Sequence, residues 1–163
     1  MHIPFEQLSD QSRVWIYASQ SPLTKEQVSI VSNQLSAFTQ DWQAHGVPLK
    51  ASYTIEYNHF IVIGVDETHH APSGCSIDKS VQIIKSIEST LGIDLMNRLI
   101  VYLLVNDTVE ALPAKDLPKL IENGTLQSDS QVFDNTITTY EKYKNEWIKS
   151  AHNTWLSRYF SYV

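Results

Sequence analysis

The chain is short of several things that would narrow its chemistry. It has one cysteine, Cys75, so no intramolecular disulfide can staple it, and a lone thiol suits a reducing compartment better than an oxidising one. Five glycines leave little room for a long phosphate-binding loop. Gly-x-x-x-x-Gly-Lys-Ser/Thr, Gly-x-Gly-x-x-Gly, Gly-x-Ser-x-Gly and His-Glu-x-x-His are all missing, as is any cysteine pair at zinc-finger spacing. The longest apolar runs, Phe60 to Val65 and Leu99 to Val105, fall far below the roughly 18 residues of a membrane helix, so no membrane insertion is expected. Met1 to Asp10 lacks the basic start and apolar stretch of a signal peptide, which makes the cytoplasm the expected location. A net charge of −6 with no cluster of Lys and Arg argues against a nucleic-acid partner.

What is present reads as one α+β domain over residues 1–163, a length that buries enough apolar surface to need neither metal nor disulfide. Arg13 to Ser19 is rich in β-branched and aromatic residues, the composition of a strand. Thr24-Lys-Glu-Gln27 has the form of a capping box, and Val28, Val31, Leu35, Phe38 and Trp42 follow at helical spacing until Gly46 and Pro48. Ala51 to Tyr57 alternates apolar and polar residues, as in a strand with one wet face, and a short turn leads into Phe60 to Val65, apolar throughout and therefore covered on both faces. Ile77, Val81, Ile84, Ile87 and Leu91 predict a second helix ending at Gly92, and Leu99 to Val105 a fourth strand covered on both faces. The order βαββαβ predicts a ferredoxin-like sandwich. Additional C-terminal helices are expected at Ala114 to Asn123 and, from the stripe Tyr143, Trp147, Ala151, Trp155 and Tyr159, over Ile137 to Phe160. Gln131 to Asp134 is a candidate fifth strand beside the fourth.

Chemistry concentrates in Asp66-Glu-Thr-His-His-Ala-Pro-Ser-Gly-Cys-Ser76. Ser73, Gly74, Cys75 and Ser76 stand where a buried strand gives way to a helix, and the free N–H groups there form a small-anion site. The same dipole favours a Cys75 thiolate, and His45, His69 or His70 would supply a base for nucleophilic work. A purely structural reading is an N-cap at Ser73 or Ser76 with Cys75 as a small buried hydrophobe. In a ferredoxin-like sheet Arg13, His45 and Lys50 would reach the same rim, adding cations for the anion. His69, His70, Cys75 and Asp66 match no established metal-ligand spacing, so neither metal nor cofactor is expected.

Met-His-Ile-Pro-Phe-Glu-Gln-Leu with Arg13-Val-Trp-Ile-Tyr17, Ala44-His-Gly-Val-Pro-Leu-Lys50 and Ser73-Gly-Cys-Ser-Ile-Asp78 resembles a small uncharacterised bacterial family often labelled "ABC transporter ATPase". The resemblance spans most of the chain. With neither a phosphate loop nor a Leu-Ser-Gly-Gly-Gln signature, it carries no ATPase residue onto these positions.

Three functions remain open at this level. The first is a binding or adaptor module for a small anionic ligand or a protein partner, with Arg13, Lys50, Ser73, Gly74 and Ser76 at the site. The second is a thiol-dependent transferase or hydrolase built on Cys75. The third is a structural subunit, a homodimer joined through its aromatic C-terminal helix.

Overall fold

The computed structural model describes residues 1–160. Its first half is close to expectation. Strand β1 (Arg13–Ala18) is followed by helix α1 (Lys25–Asp41), the short strands β2 (Gln43–Ala44) and β3 (Val47–Pro48), strands β4 (Lys50–Glu56) and β5 (Phe60–Asp66), and helix α2 (Gly74–Leu91). Both helix starts have a chemical reason. Thr24 accepts from the Gln27 N–H while the Gln27 side chain accepts from the Thr24 N–H, and Ser73 and Ser76 repeat the exchange on α2. Helix α2 ends at Gly92, whose left-handed backbone (φ 64°) suits glycine. The β2 and β3 hairpin turns on His45 and Gly46, both at positive φ.

The strands pair antiparallel in the order β1-β5-β4, with Arg13 opposite Val65 and Lys50 opposite Asp66. This is three-quarters of a ferredoxin-like sheet. The fourth expected strand, β6 (Ile100–Val105), leaves it and forms a second sheet, β7-β6-β8-β9, with β7 (Thr108–Pro113), β8 (Gln131–Phe133) and β9 (Ile148–Ser150). The predicted fifth strand is β8, which meets β6 at Leu103 and Val132. A two-residue turn, Asn106-Asp107, both at positive φ, joins β6 to β7.

The physical reason for the departure is coverage. Strand β6 is apolar on both faces, and at the edge of a single sheet only the face toward the helices would be dry. In the two-sheet arrangement Tyr102 packs toward Phe60, Val14 and Ile16 of the first sheet, while Val101 and Leu103 pack against Leu117, Leu126, Ala151 and Leu156. The chain therefore stacks in four layers: α1 and α2, the first sheet, the second sheet, and a last layer made of α3 (Leu117–Glu122) with the C-terminal turns. Strand β5 lies in the middle, and all seven of its residues are buried.

The long helix expected over Ile137 to Phe160 does not form. Helix α4 covers Tyr140–Glu146, after which β9 pairs with β8 and two 3₁₀ turns, Ala151–Asn153 and Trp155–Tyr159, follow. The stripe is divided: Tyr140 and Trp147 join the core between the sheets, Ala151 joins the outer core, and Trp155 stays half exposed. Core packing thus accounts for most of these aromatics, and among the described residues no continuous aromatic helix is there to form a dimer face.

Candidate functional site

Some of the residues expected at one rim lie at the same end of the first sheet. Register places Arg13, Lys50 and Asp66 at one end of the first sheet, His70 Nε2 lies 3.1 Å from the Ala44 carbonyl, and the buried Trp42 indole donates to the Ser76 carbonyl at 2.8 Å. The groups brought there are nevertheless already engaged with one another. The Arg13 guanidinium faces the Glu67 carboxylate at 3.6 Å. Asp66 accepts from the Thr68 N–H (2.9 Å) and hydroxyl (2.7 Å). Burial raises the Asp66 carboxyl, but the Thr68 hydroxyl and N–H, the Ser9 hydroxyl and the Lys50 charge together hold it below the usual carboxylate range.

The start of α2 is likewise self-capped, since the Ser76 hydroxyl also donates to the Ser73 carbonyl at 2.8 Å. Cys75 and Gly74 are exposed, His69 and His45 are exposed, and no hydrogen bond joins Cys75 to any histidine among the described residues. Nor do three or more His, Cys, Asp or Glu side chains stand together to share a metal ion among the described residues. The geometry of Ser73 to Ser76 is that of a helix cap pinned to a hairpin.

A different place has the makings of a site. A cleft of about 100 Å³ opens beside the outer edge of β1, between the two sheets, and sequence reasoning missed it because its walls come from five separate segments. Ile16, Tyr17 and Ala18 form one wall; Leu95 to Arg98, Ile100 to Tyr102, Val132 to Thr136 and Thr154 to Leu156 form the rest.

The cleft exists because the chain after β8 peels away from β1. Val14 donates its N–H to the Thr138 carbonyl (3.0 Å) and Tyr140 donates to the Ser12 carbonyl (2.9 Å), the beginning of an antiparallel ladder. The ladder stops there. The Asp134 carboxylate accepts from the Thr136 N–H at 3.0 Å and from the Thr136 hydroxyl, and turns the chain outward. Lys149 holds the other Asp134 oxygen at 3.1 Å, and Asn135 Oδ1 accepts from the Trp147 indole at 2.8 Å. At the far end of β1 the Ala18 N–H meets the Leu95 carbonyl at 3.1 Å.

Three kinds of polar group line the opening without a partner. In an antiparallel strand alternate N–H groups share an edge, so Ile16, between Val14 and Ala18, presents its N–H and C=O to the cleft, and nothing among the described residues pairs with them. Tyr17 and Tyr102 are largely buried, and their hydroxyl oxygens, which have no hydrogen-bond partner among the described residues, keep access to solvent. Burial raises both, Tyr102 to about 12 with the Asp94 charge adding to it; at Tyr17 burial is partly offset by the Arg98 charge. Arg98 itself is exposed and has no ion-pair or hydrogen-bond partner among the described residues. Trp155 stands at the rim with the Arg158 guanidinium 5.2 Å from its ring centre.

An unpaired cation, two tyrosines and a strip of open backbone line one concavity, an arrangement suited to holding a polar ligand with a negative end. No family model, curated protein or solved structure matches this chain.

Proposed function

We propose that the protein is a binding module for a small anionic ligand, held in the cleft beside β1 with Arg98 as the counter-charge and the Tyr17 and Tyr102 hydroxyls as neutral hydrogen-bonding groups. The observation that carries this reading is the Arg98 guanidinium, without an ion pair among the described residues, on the wall of a cleft into which Ile16 turns an unpaired N–H and C=O. Backbone N–H and C=O groups in native proteins are nearly always paired, so a ligand that pairs with Ile16 gains hydrogen bonds that folding left unmade. The cations at the Ser73 to Ser76 end support the same role less well, because Arg13 faces Glu67 and Lys50 sits beside Asp66. Thiol chemistry at Cys75 has no hydrogen-bonded base to support it.

The test is a thermal-shift series with acetate, propionate, citrate and inorganic phosphate on the wild type, Arg98→Gln and Lys50→Ala. An anion present at ten times its Kd adds about 1.4 kcal/mol, which in a chain of this size raises Tm by roughly 3–6 °C. The shift is expected to vanish in Arg98→Gln and to persist in Lys50→Ala. Stabilisation that survives Arg98→Gln and disappears in Lys50→Ala would move the site back to the α2 cap, and no stabilisation by any anion would sink the proposal.

A further inference from the structure

We infer that the ligand carries, besides its carboxylate, a secondary amide that completes the interrupted ladder on β1: an N-acylated α-amino acid, free or as the last residue of a peptide. The inference rests on the anion reading above and adds to it the open backbone of Ile16. The outer edge of β1 is closed at both ends, by Thr138 on Val14 and by Leu95 on Ala18, which leaves one residue, Ile16, with both donor and acceptor free. One open residue on an antiparallel edge is matched by one amino-acid unit, whose N–H meets the Ile16 C=O while its C=O meets the Ile16 N–H.

The segment that would otherwise fill this position is Thr136, and its own N–H is committed to Asp134. The ligand would thus occupy the place of the missing strand residue. Arg98, on the wall formed by Leu95 to Arg98, supplies the cation for a carboxylate next to that amide. At about 100 Å³ the cleft is smaller than ordinary drug-sized pockets, which begin near ~300 Å³, and suits a small side chain such as alanine. Neighbouring Trp155 and Tyr102 offer apolar surface to an acyl group or to the preceding peptide unit.

The experiment changes the ligand and leaves the protein intact. Binding of N-acetyl-L-alanine, of its ester counterpart (S)-2-acetoxypropanoate, of propionate and of trialanine with a free C-terminus is measured by calorimetry on the wild type and Arg98→Gln. Replacing the amide N–H by an ester oxygen leaves the Ile16 C=O unpaired, so the ester is expected to bind about tenfold more weakly than the amide. All binding is expected to fall in Arg98→Gln. Trialanine binding more tightly than N-acetyl-L-alanine assigns the cleft to peptide C-termini, and the reverse assigns it to free acylated amino acids; either order upholds the inference when the amide beats the ester. Equal binding of amide and ester, both dependent on Arg98, overturns the inference and leaves the anion reading standing. Failure of every carboxylate, propionate included, overturns the inference, and failure of inorganic phosphate as well overturns both.

Discussion

Asp134 is the residue whose replacement should say most about how the cleft is held open. Its carboxylate takes two hydrogen bonds from Thr136 and one ion pair from Lys149, and the side chains of that pair are 18% and 22% exposed. Asp134→Ala removes all three. At about 1 kcal/mol for each hydrogen bond and up to about 1 kcal/mol for a partly buried pair, the loss is expected to be about 2–3 kcal/mol. Asp134→Asn keeps an oxygen for Thr136 and gives up only the charge, so it should cost about 1 kcal/mol. Urea unfolding followed by tryptophan fluorescence measures both, with Trp147 beside the turn as reporter.

The pH dependence follows from the same contacts. Burial raises the Asp134 carboxyl, but the Thr136 hydroxyl and N–H together with Lys149 outweigh it and hold the group below the usual carboxylate range. Its contribution is therefore present above the unfolded value near 4 and is lost as pH falls through the lower folded value. The gap between wild type and Asp134→Asn should be constant from pH 7 to about pH 5 and should narrow below about pH 4. An Asn variant as unstable as the Ala variant, or a gap that does not narrow in acid, would refute the assignment of these roles to Thr136 and Lys149.

Other expectations test the scaffold. A Cβ at Gly64 would meet Leu8 Cδ1 at 2.6 Å, so Gly64→Ala should cost about 1–3 kcal/mol, and adding Leu8→Ala should be markedly less costly than the sum of the two single changes in a double-mutant cycle. Ser52 Oγ is buried with no partner among the described residues, so Ser52→Ala should be neutral or raise stability by up to about 1 kcal/mol in the same urea assay. Ser73→Ala should lower stability by about 1 kcal/mol through loss of the α2 cap and leave anion binding unchanged; a loss of binding would restore the cap as the ligand site. In a spectrophotometric titration Tyr102 should ionise near 12, and its stabilising contribution, complete below the unfolded value near 10, should disappear as pH rises between the two. Tyr102→Phe should remove that late step from the titration.

The parts of the fold that the sequence displays openly are those set by local chemistry. The Thr24 capping box, the N-cap of α2, its glycine stop, the alternation in the sequence of β4 and the unbroken apolar run of β5 each follow from residues within one element. What covers β6 depends on residues far along the chain, and no local pattern separates a fourth strand on β1 from the centre of another sheet. One local signal did exist: Asn106-Asp107 stands between Val105 and Thr108 with both residues at positive φ, the two-residue turn of a hairpin. The C-terminal stripe misled because residues four apart serve a helix and, equally, a chain that passes from one core to the next. The cleft was hidden for the same reason as β6, since its walls meet only once both sheets have formed. Strand direction does put Arg13 and Lys50 at the end of the first sheet from which β5 leads on to Ser73; the ion pair and hydrogen bonds there were not legible, because they depend on Glu67 and Asp66 side chains whose contacts no periodicity encodes.

The four-layer stack also imposes a timetable. Phe60, fully buried in the central strand, has ring contacts with Phe133 and Trp147 on the second sheet, with centroids 4.6 and 5.0 Å apart. At the usual pace of about 5–20 residues per second, a ribosome that has just added Phe60 needs several seconds more to supply Trp147. Until then the first sheet can gather its two helices on one side while its other side, Val14, Ile16, Phe60 and Val62, stays wet. A nascent chain of this protein therefore passes through a half-dressed stage in which an apolar sheet is on view, and it is there that a holding chaperone would find the most to grip.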